Sequence, residues 1–283
     1  MYYVGKFDES KFAIPPGYEK DSKGYHRCTL VDRPVGSVHM GVGICRLQPK
    51  GYIEPLVHAN EKGVYILEGE IEMKRGCEAF RLAADDYAFI PYGTSHAFRN
   101  PGEKAVRWFE MQAPQPKPPG GWQDTFFVRD TDWPDRVNPP DFEDPRTRFL
   151  GRFRGQKGMA RDGAVVRGLT VYRFMEEDFG TQHFFMMRGE LSVGGIRGSH
   201  DHTVEESYFV LSGEADMEIE GERYPLRPGD IAWTGVGTAH AFFQKGNLPL
   251  RWIETQAPQF PTQNGTRNYA VWERLKTNSK QPQ

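Results

Sequence analysis

The sequence has few cysteines, no long apolar run and no segment typical of a secretory signal. Its three cysteines, Cys28, Cys45 and Cys77, form no CxxC pair and all lie in the first half of the 283 residues. This pattern argues against a disulfide framework, and we expect reduced, mostly buried thiols. No stretch approaches the roughly 20 apolar residues that cross a membrane as a helix. Because the N-terminus also lacks the apolar core of a signal peptide, we expect a soluble, cytoplasmic protein without a membrane partner.

An excess of one charge is absent as well. The chain has 36 Lys and Arg residues against 38 Asp and Glu residues, a formal net charge of -2, and neither sign clusters. Nucleic acids and anionic membranes are bound by basic patches, so this balance gives no support to either as a partner. We expect a small-molecule substrate instead.

Helical patterns are scarce, whereas short strand patterns recur along the whole chain. The segments GVYILEGEIEMK (63–74) and ESYFVLSGEADMEIEG (206–221) alternate or run apolar for a few residues. Clusters of Gly, Pro, Asp and Asn separate such segments at intervals of about ten residues. This rhythm predicts an all-β sandwich or barrel.

The chain contains a duplicated unit. Residues 36–115 align with 180–259 at a constant offset of 144 residues and without gaps. For example, PYGTSHAF (91–98) aligns with GVGTAHAF (235–242), and RWFEMQAPQ (107–115) aligns with RWIETQAPQ (251–259). A repeat of this length is long enough to bury its own core, so we expect two domains of one fold.

We place the domain boundaries in a segment that is rich in Pro and Asp. The predicted N-terminal domain covers 1–122, the linker 123–148 and the C-terminal domain 149–283. Four aromatic residues in and beside the linker are too apolar for a free tether, and we expect them to pack across the two domains: Trp122, Phe126, Phe127 and Trp133. Residues 275–283 (LKTNSKQPQ) are predicted to be a frayed tail.

A cluster of histidine and glutamate in the second half has the composition of a metal site. His200 and His202 lie two residues apart, which places both imidazoles on one face of a strand. Glu205 and Glu206 follow directly, and His240 comes later in the chain. Three imidazoles and one carboxylate suit a redox-capable first-row metal better than a closed structural zinc site.

The glycine and histidine spacing resembles the cupin family. GGIRGSHDHTVEESYFVLSG (194–213) is similar to the first cupin motif, and GDIAWTGVGTAHAFFQ (229–244) resembles the second, with Gly235 and Gln244 in place of the usual Pro and Asn. The first half carries the second motif in better form at 85–100. The resemblance implies a bicupin, that is, two tandem jelly-roll barrels, each with a metal position inside.

Alignment of the two halves predicts that only the second barrel keeps a complete ligand set. At the four ligand positions, His200 aligns with Leu56, His202 with His58, Glu206 with Lys62 and His240 with His96. The ammonium group of Lys62 would repel a divalent cation and could replace it electrostatically. We therefore expect the first barrel to be structural or dimer-forming rather than catalytic.

The same alignment distinguishes the two adjacent glutamates. Glu205 aligns with Glu61, so a glutamate occurs there whether or not the ligands are present. We predict that Glu206 binds the metal and that Glu205 is a scaffold or surface carboxylate.

Other residues near the cluster are assigned to packing by the same comparison. His183 aligns with His39, and Arg251, Trp252, Glu254 and Gln256 recur as Arg107, Trp108, Glu110 and Gln112, so we expect these to serve the fold or an interface first. Residues 184–187 (FFMM) differ from their counterparts, and core filling is favoured over a pocket lining.

A site of this kind indicates an enzyme that binds one divalent metal per chain. Fe or Mn is expected, with Ni, Zn or Cu as alternatives. Our first hypothesis is a dioxygenase acting on a small oxygenated compound such as an enol, diketone, catechol or carboxylate, with Tyr208 helping to orient the substrate. The alternatives are a non-redox hydrolase, lyase or isomerase similar to ureidoglycine aminohydrolase, and a non-catalytic ligand-binding cupin. Exposed sheet edges also favour a homodimer.

Overall fold

The structure is a computed structural model that describes residues 1–118, 123–129, 132–144 and 147–259 and the backbone of 266–268. Two curled antiparallel sheets account for most of it, and this confirms the all-β prediction. Trp122 and the predicted tail at 275–283 lie outside the described residues. None of the helices within the described ranges has the length and apolar character needed to cross a membrane.

The described strands and helices are short, apart from two strands of 18 residues each. The first ten strands are β1 Tyr2–Lys6, β2 Ser22–Val31, β3 Gly41–His58, β4 Glu61–Glu68, β5 Glu70–Arg75, β6 Glu78–Ala83, β7 Asp86–Ile90, β8 His96–Arg99, β9 Val106–Ala113 and β10 Thr125–Phe127. The others are β11 Leu150–Arg152, β12 Met159–Gly163, β13 Val166–Met175, β14 Phe185–His202, β15 Glu205–Ser212, β16 Glu214–Ile219, β17 Glu222–Leu226, β18 Asp230–Thr234, β19 His240–Lys245, β20 Leu250–Ala257 and β21 Thr266–Asn268. Three 3₁₀ helices span Glu9–Lys11, Arg33–Val35 and Glu177–Phe179.

The two sheets repeat one strand order, as the sequence duplication predicts. The first sheet runs β11-β7-β4-β9-β3-β8-β5-β6, with β2 and β10 also paired to β3. The second runs β1-β18-β15-β20-β14-β19-β16-β17, with β13 and β21 paired to β14 and β12 to β13. Among the described residues, the first sheet has only an isolated bridge, Ala13 to Arg27, near the position of β12, so the second sheet has one strand more.

Each sheet includes one strand from beyond the expected domain boundary. Strand β1, at the N-terminus, pairs antiparallel with β18, so that Tyr2 lies opposite Thr234. Strand β11, which follows the linker, pairs with β7 and places Leu150 opposite Ala88. The two barrels therefore exchange short strands, and sheet membership crosses the boundaries that we expected from the sequence.

Strands β4 and β15 are buried on both faces. In β15, Tyr208 and Val210 point into the core of the second barrel, whereas Phe209 points into a third apolar cluster. That cluster lies between the barrels and is made by both halves. Because strand side chains alternate, one strand lines a barrel and the barrel–barrel contact at the same time. Two buried faces explain why these segments are almost continuously apolar.

The interbarrel cluster is rich in aromatic side chains. Phe109 and Phe209 lie with ring centroids 5.8 Å apart, and Phe89 and Phe184 lie 6.1 Å apart. Each pair joins one residue from each half. A fully buried phenylalanine contributes about 1.5–3 kcal/mol, so several such pairs couple the folding of the two barrels.

The described aromatic residues of the linker do not pack across the two domains, as we had predicted they would. Phe127 packs against the core of the first barrel, with its ring centroid 5.2 Å from that of Tyr18. The ring of Trp133 lies beneath the Arg99 guanidinium, at 4.2 Å. Phe126 is 45% exposed. These residues lie on the first barrel rather than across both domains, because β10 extends the first sheet.

Candidate metal centre

Three histidines of the second barrel lie close together. His200 and His202 come from the end of β14, and His240 begins β19, directly opposite His200 in the pairing of these strands. One ligand nitrogen from each imidazole can be chosen so that all three lie within 4.8 Å of one another. No other group of three His, Cys, Asp or Glu side chains this compact was found in the described part of the chain.

Glu206 lies against two of these imidazoles. Its Oε1 is 3.2 Å from His202 Nε2, and its Oε2 is 3.3 Å from His240 Nε2. The residue is only 1% exposed. The four residues predicted as metal ligands are thus brought to one place inside the barrel.

The histidines are in the protonation state that a metal requires. Burial lowers the pKa of His200 well below its usual value, and it lowers the pKa of His202 to about 3 and that of His240 to about 4. The Nδ1 atoms of His200 and His240 each lie 2.9 Å from a backbone carbonyl, of Gly198 and Thr238 respectively, and donate to it. A neutral imidazole has a single N–H, so each Nε2 keeps a free lone pair.

The surroundings of Glu206 also favour a cation. Burial raises the pKa of its carboxyl group well above the usual value, and the nearby Glu254 raises it further. A positive charge beside this carboxyl group would favour its ionised form. Three neutral imidazoles and one buried carboxylate therefore fit a divalent first-row metal.

Tyr208 lies at the same place as the predicted ligands. Its hydroxyl group donates to Glu206 Oε2 at 2.6 Å and lies 2.8 Å from His240 Nε2. Burial raises the pKa of this phenol well above its usual value, so the group stays protonated. Tyr208 follows Glu206 by two residues on β15, which explains why both side chains face the barrel interior.

Three residues that we had assigned to the fold or to an interface instead contact the site. Gln256 Nε2 donates to Glu206 Oε1 at 2.6 Å and to Glu254 Oε1 at 2.7 Å. Trp252 Nε1 donates to the other oxygen of Glu254 at 2.9 Å. These alternate residues of β20 point into the barrel, and Gln256 holds the predicted carboxylate ligand.

Arg197 is a further residue of the site that the sequence pattern did not reveal. Its guanidinium is largely buried beside Tyr208, Glu206 and Glu254, and burial lowers its pKa. It precedes His200 by three residues, and a regular strand would place these two side chains on opposite faces. The pairing of β14 with β19 shifts register between them, so a bulge turns both toward the interior.

A cavity of about 530 Å³ lies beside the histidines. Arg197, Tyr208, Glu254 and Gln256 form the polar part of its wall. Strand β12 adds the exposed side chains of Arg161 and Asp162. Apolar side chains make up much of the rest, among them Leu169, Val171, Met187, Phe242 and Trp252.

The residues of the segment 184–187 lie in two different places. Phe184 and Met186 lie in the interbarrel cluster, whereas Met187 lines the cavity. His183 and His39 lie where the barrels meet, because the backbone N–H of each donates to a glutamate of the other half. The two histidines therefore contact the barrel interface and not the site.

The first barrel has a buried ion network at the corresponding positions. Lys62 Nζ lies 3.3 Å from Glu110 Oε2, and Arg27 Nε lies 3.3 Å from Glu110 Oε1. His58 and His96 remain buried, with pKa values lowered first by burial and then by the Lys62 charge. Lys62 therefore supplies a positive charge beside Glu110, the residue that aligns with Glu254 of the second barrel.

A comparison with protein families identifies the fold. The model of the cupin domain matches residues 43–111 and again residues 187–255. The chain is a bicupin. The two matches have the same offset as the internal repeat, so each half of this bicupin is one cupin unit, and the resemblance predicted from the motifs is confirmed.

Curated relatives and solved structures resemble parts or all of this bicupin. Polyketide synthase CurC of Streptomyces cyaneus is 34% identical over 101 residues, which cover 35% of this chain and 66% of that protein. An oxalate-binding protein of Thermotoga maritima is 33% identical over 67 residues, or 23% of this chain and 55% of that protein. The structure of Lactobacillus farciminis oxalate decarboxylase in a formate complex matches with a TM-score of 0.69 and 14% identity, covering 99% of this chain and 96% of that one.

Proposed function

We propose that this bicupin is a metal-dependent enzyme whose chemistry occurs in the second barrel, with dioxygenase activity as the first candidate. The observation that carries the proposal is the convergence of three neutral imidazoles and a buried carboxylate beside a cavity of about 530 Å³. A cavity of this size suits a small organic substrate.

His200, His202, His240 and Glu206 would hold one divalent ion, with Fe or Mn expected. When bound, such an ion supplies positive charge to polarise a substrate oxygen and, with dioxygen, the redox capacity that ring or C–C cleavage needs. Because Nδ1 of His200 and of His240 each donate to a backbone carbonyl, Nε2 of each ring is the nitrogen that would face the ion. The hydrogen bond from Gln256 holds the Glu206 carboxylate in place.

The remaining side chains of the cavity support a substrate with both anionic and apolar parts. Arg197 is partly buried and lines the cavity, so its guanidinium is placed to bind an enolate, catecholate or carboxylate oxygen. Phe242 and Trp252, whose rings stack with centroids 5.6 Å apart, offer an apolar wall. Tyr208 would orient the bound oxygen through its protonated hydroxyl group.

A lyase that acts on a small carboxylate is the second candidate. The cavity arginine supports it, and so does the likeness of the whole chain to oxalate decarboxylases, although at 14% identity that likeness shows the fold alone. A non-catalytic binding protein is the third candidate, supported by similarity to an oxalate-binding protein.

Turnover with and without dioxygen separates these candidates. Metal-loaded protein is incubated with catechols, diketones, flavonoids and oxalate, aerobically and under strict anaerobiosis, and products and dioxygen uptake are measured. The dioxygenase proposal predicts turnover only in air, with dioxygen consumed. Equal turnover without dioxygen would contradict it and support the lyase, and a ligand-dependent rise in melting temperature without turnover would support the binding protein.

We also infer a homodimer. The terminal strand β17 of the second sheet, which pairs with β16, is an edge through which a second copy of the chain could pair. Light scattering on the purified protein tests this, and a monomeric mass would contradict it.

A further inference from the structure

We propose that Glu205 is a positioning residue, through which the first barrel fixes the carboxylate of Glu206. The inference rests on the proposed metal site, in which Glu206 is a ligand. It gives the first barrel a specific task in the function of the second, beyond support of the fold.

The side-chain hydrogen bonds of Glu205 reach into the first half of the chain. Its Oε1 accepts from the Val38 backbone N–H at 2.9 Å, and its Oε2 accepts from the Ser37 hydroxyl group at 2.7 Å and from the His39 backbone N–H at 3.3 Å. The residue is 2% exposed. Three donors around a buried carboxylate define its position closely, because the loss of any of these charge-assisted bonds would leave a buried carboxylate oxygen with fewer partners.

The loop that supplies these donors is itself held in place. The Met40 backbone N–H donates to the Ser37 hydroxyl oxygen at 3.2 Å. The buried side chain of Gln115 donates to the backbone carbonyls of both Ser37 and Met40, at 3.0 Å and 2.7 Å. Glu205 is therefore anchored to a rigid part of the first barrel.

The anchor lies one residue from the predicted ligand. Glu205 begins β15, and the next residue, Glu206, points to the opposite side, into the metal barrel. Gln256 and Tyr208 hold the Glu206 carboxylate from inside that barrel. The Cα atoms of these adjacent residues are joined by one planar peptide flanked by only two soft backbone dihedrals, so an anchor on Glu205 limits the backbone from which Glu206 extends.

The fold provides a matched control in the first half. Glu61, at the equivalent position, accepts from the backbone N–H groups of Gln182 and His183, with His183 at 2.9 Å. It is followed by Lys62, which is not a metal ligand. The anchor of Glu61 should therefore stabilise the barrel contact without any effect on metal binding.

The side-chain hydroxyl groups near Glu205 and Glu61 differ in their hydrogen-bond partners. Thr181 occupies the position equivalent to Ser37, but its buried Oγ1 has no hydrogen-bond partner among the residues that the structure describes. The hydroxyl bond that reaches Glu205 is therefore absent on the Glu61 side. This supplies a second matched pair, Ser37 and Thr181.

Metal affinity in the full-length chain tests the proposal. Mn(II) is titrated into the wild type, Glu205→Gln and Glu61→Gln, with a competing chelator, and the melting temperature of each metal-free protein is recorded. Both substitutions should lower the melting temperature, because each replaces an acceptor oxygen with an amide that faces N–H donors. Glu205→Gln should raise the Mn(II) dissociation constant about tenfold to a hundredfold, whereas Glu61→Gln should leave it near the wild-type value.

Equal Mn(II) affinities in Glu205→Gln and Glu61→Gln would overturn the inference and leave the metal site intact. If the wild type itself binds no Mn(II), the proposed metal site fails and this inference fails with it. Where Glu205→Gln does not fold, Ser37→Ala and Thr181→Ala decide. Ser37→Ala should weaken Mn(II) binding and Thr181→Ala should not, and equal affinities would overturn the inference.

Discussion

Glu205 and Glu206 are adjacent glutamates with different surroundings. Glu206 faces His202 and His240, whereas Glu205 faces the loop at 37–39 of the other half. The sequence comparison assigned Glu205 to a scaffold or surface role, and the structure narrows this to a buried contact between the barrels. Adjacent residues on a strand point to opposite sides, so this pair can connect the two halves.

Substitution of one histidine in each barrel tests the assignment of the ligands. His240→Ala removes a predicted ligand, and we expect the purified protein to lose its metal. His96→Ala, at the equivalent position of the first barrel, should retain it. Elemental analysis measures metal per chain, with circular dichroism as a check on folding, and metal loss in both variants would contradict the assignment.

The Tyr208 hydroxyl group should matter for turnover more than for metal binding. Tyr208→Phe keeps the ring but removes the hydrogen bond to Glu206 and the hydroxyl oxygen that lies 2.8 Å from His240 Nε2. In protein fully loaded with metal, we expect a turnover that falls about 10²- to 10³-fold, the range for the loss of one hydrogen-bond donor that stabilises a reacting oxygen. Wild-type turnover in Tyr208→Phe would show that the hydroxyl group has no part in the reaction.

The sequence could predict the four candidate ligands but not the residues around them. The internal alignment separates His200 and Glu206 from their replaced counterparts without any structure. Arg197 escaped the prediction because a bulge breaks the alternation along β14. Gln256 escaped it because we took residues that recur in both halves to be structural. Gln256 and its counterpart Gln112 occupy a position that faces the interior of each barrel.

At the scale of strands, the exchange of β1 and β11 was the least predictable feature. These segments have five and three residues, and their sequences contain nothing that selects one sheet over the other. The long strands β3 and β14 follow from the repeat and from their apolar patterns. Partner choice depends on the arrangement of the two barrels, which a local pattern does not encode.

The position of β1 leads to a prediction about the second barrel. Val4 packs against the core of the second barrel, although it lies at the other end of the sequence. Val4→Asp should lower the free energy of unfolding by about 1–3 kcal/mol and weaken metal binding. Lys6→Asp, at the exposed end of the same strand, is the control, and chemical denaturation with metal titration measures both. A Val4→Asp protein as stable as Lys6→Asp would contradict the exchange.

At the scale of the whole molecule, the two barrels form one folded unit. Their contact combines the interbarrel cluster, the exchanged strands and the reciprocal bonds of Glu61 and Glu205. Neither barrel buries its outer apolar face without the other. The duplication thus provides two barrels of one fold, with the candidate metal ligands in one and a lysine–glutamate network in the other.

This coupling predicts a single unfolding transition. Calorimetry of the full-length protein should give one cooperative peak, because unfolding of either barrel exposes the shared cluster. Added metal should move that whole peak to higher temperature, since it binds only the folded state. Two separated peaks, with metal shifting one of them, would contradict the coupling.

We propose that only the second barrel binds a metal ion, and the metal content of the native protein tests this most directly. Protein is purified without added chelator, loaded with Mn(II) or Fe(II) and desalted, and metal per chain is measured by elemental analysis. We predict one metal ion per chain, held in the second barrel. Two ions per chain, or none after loading, would contradict it.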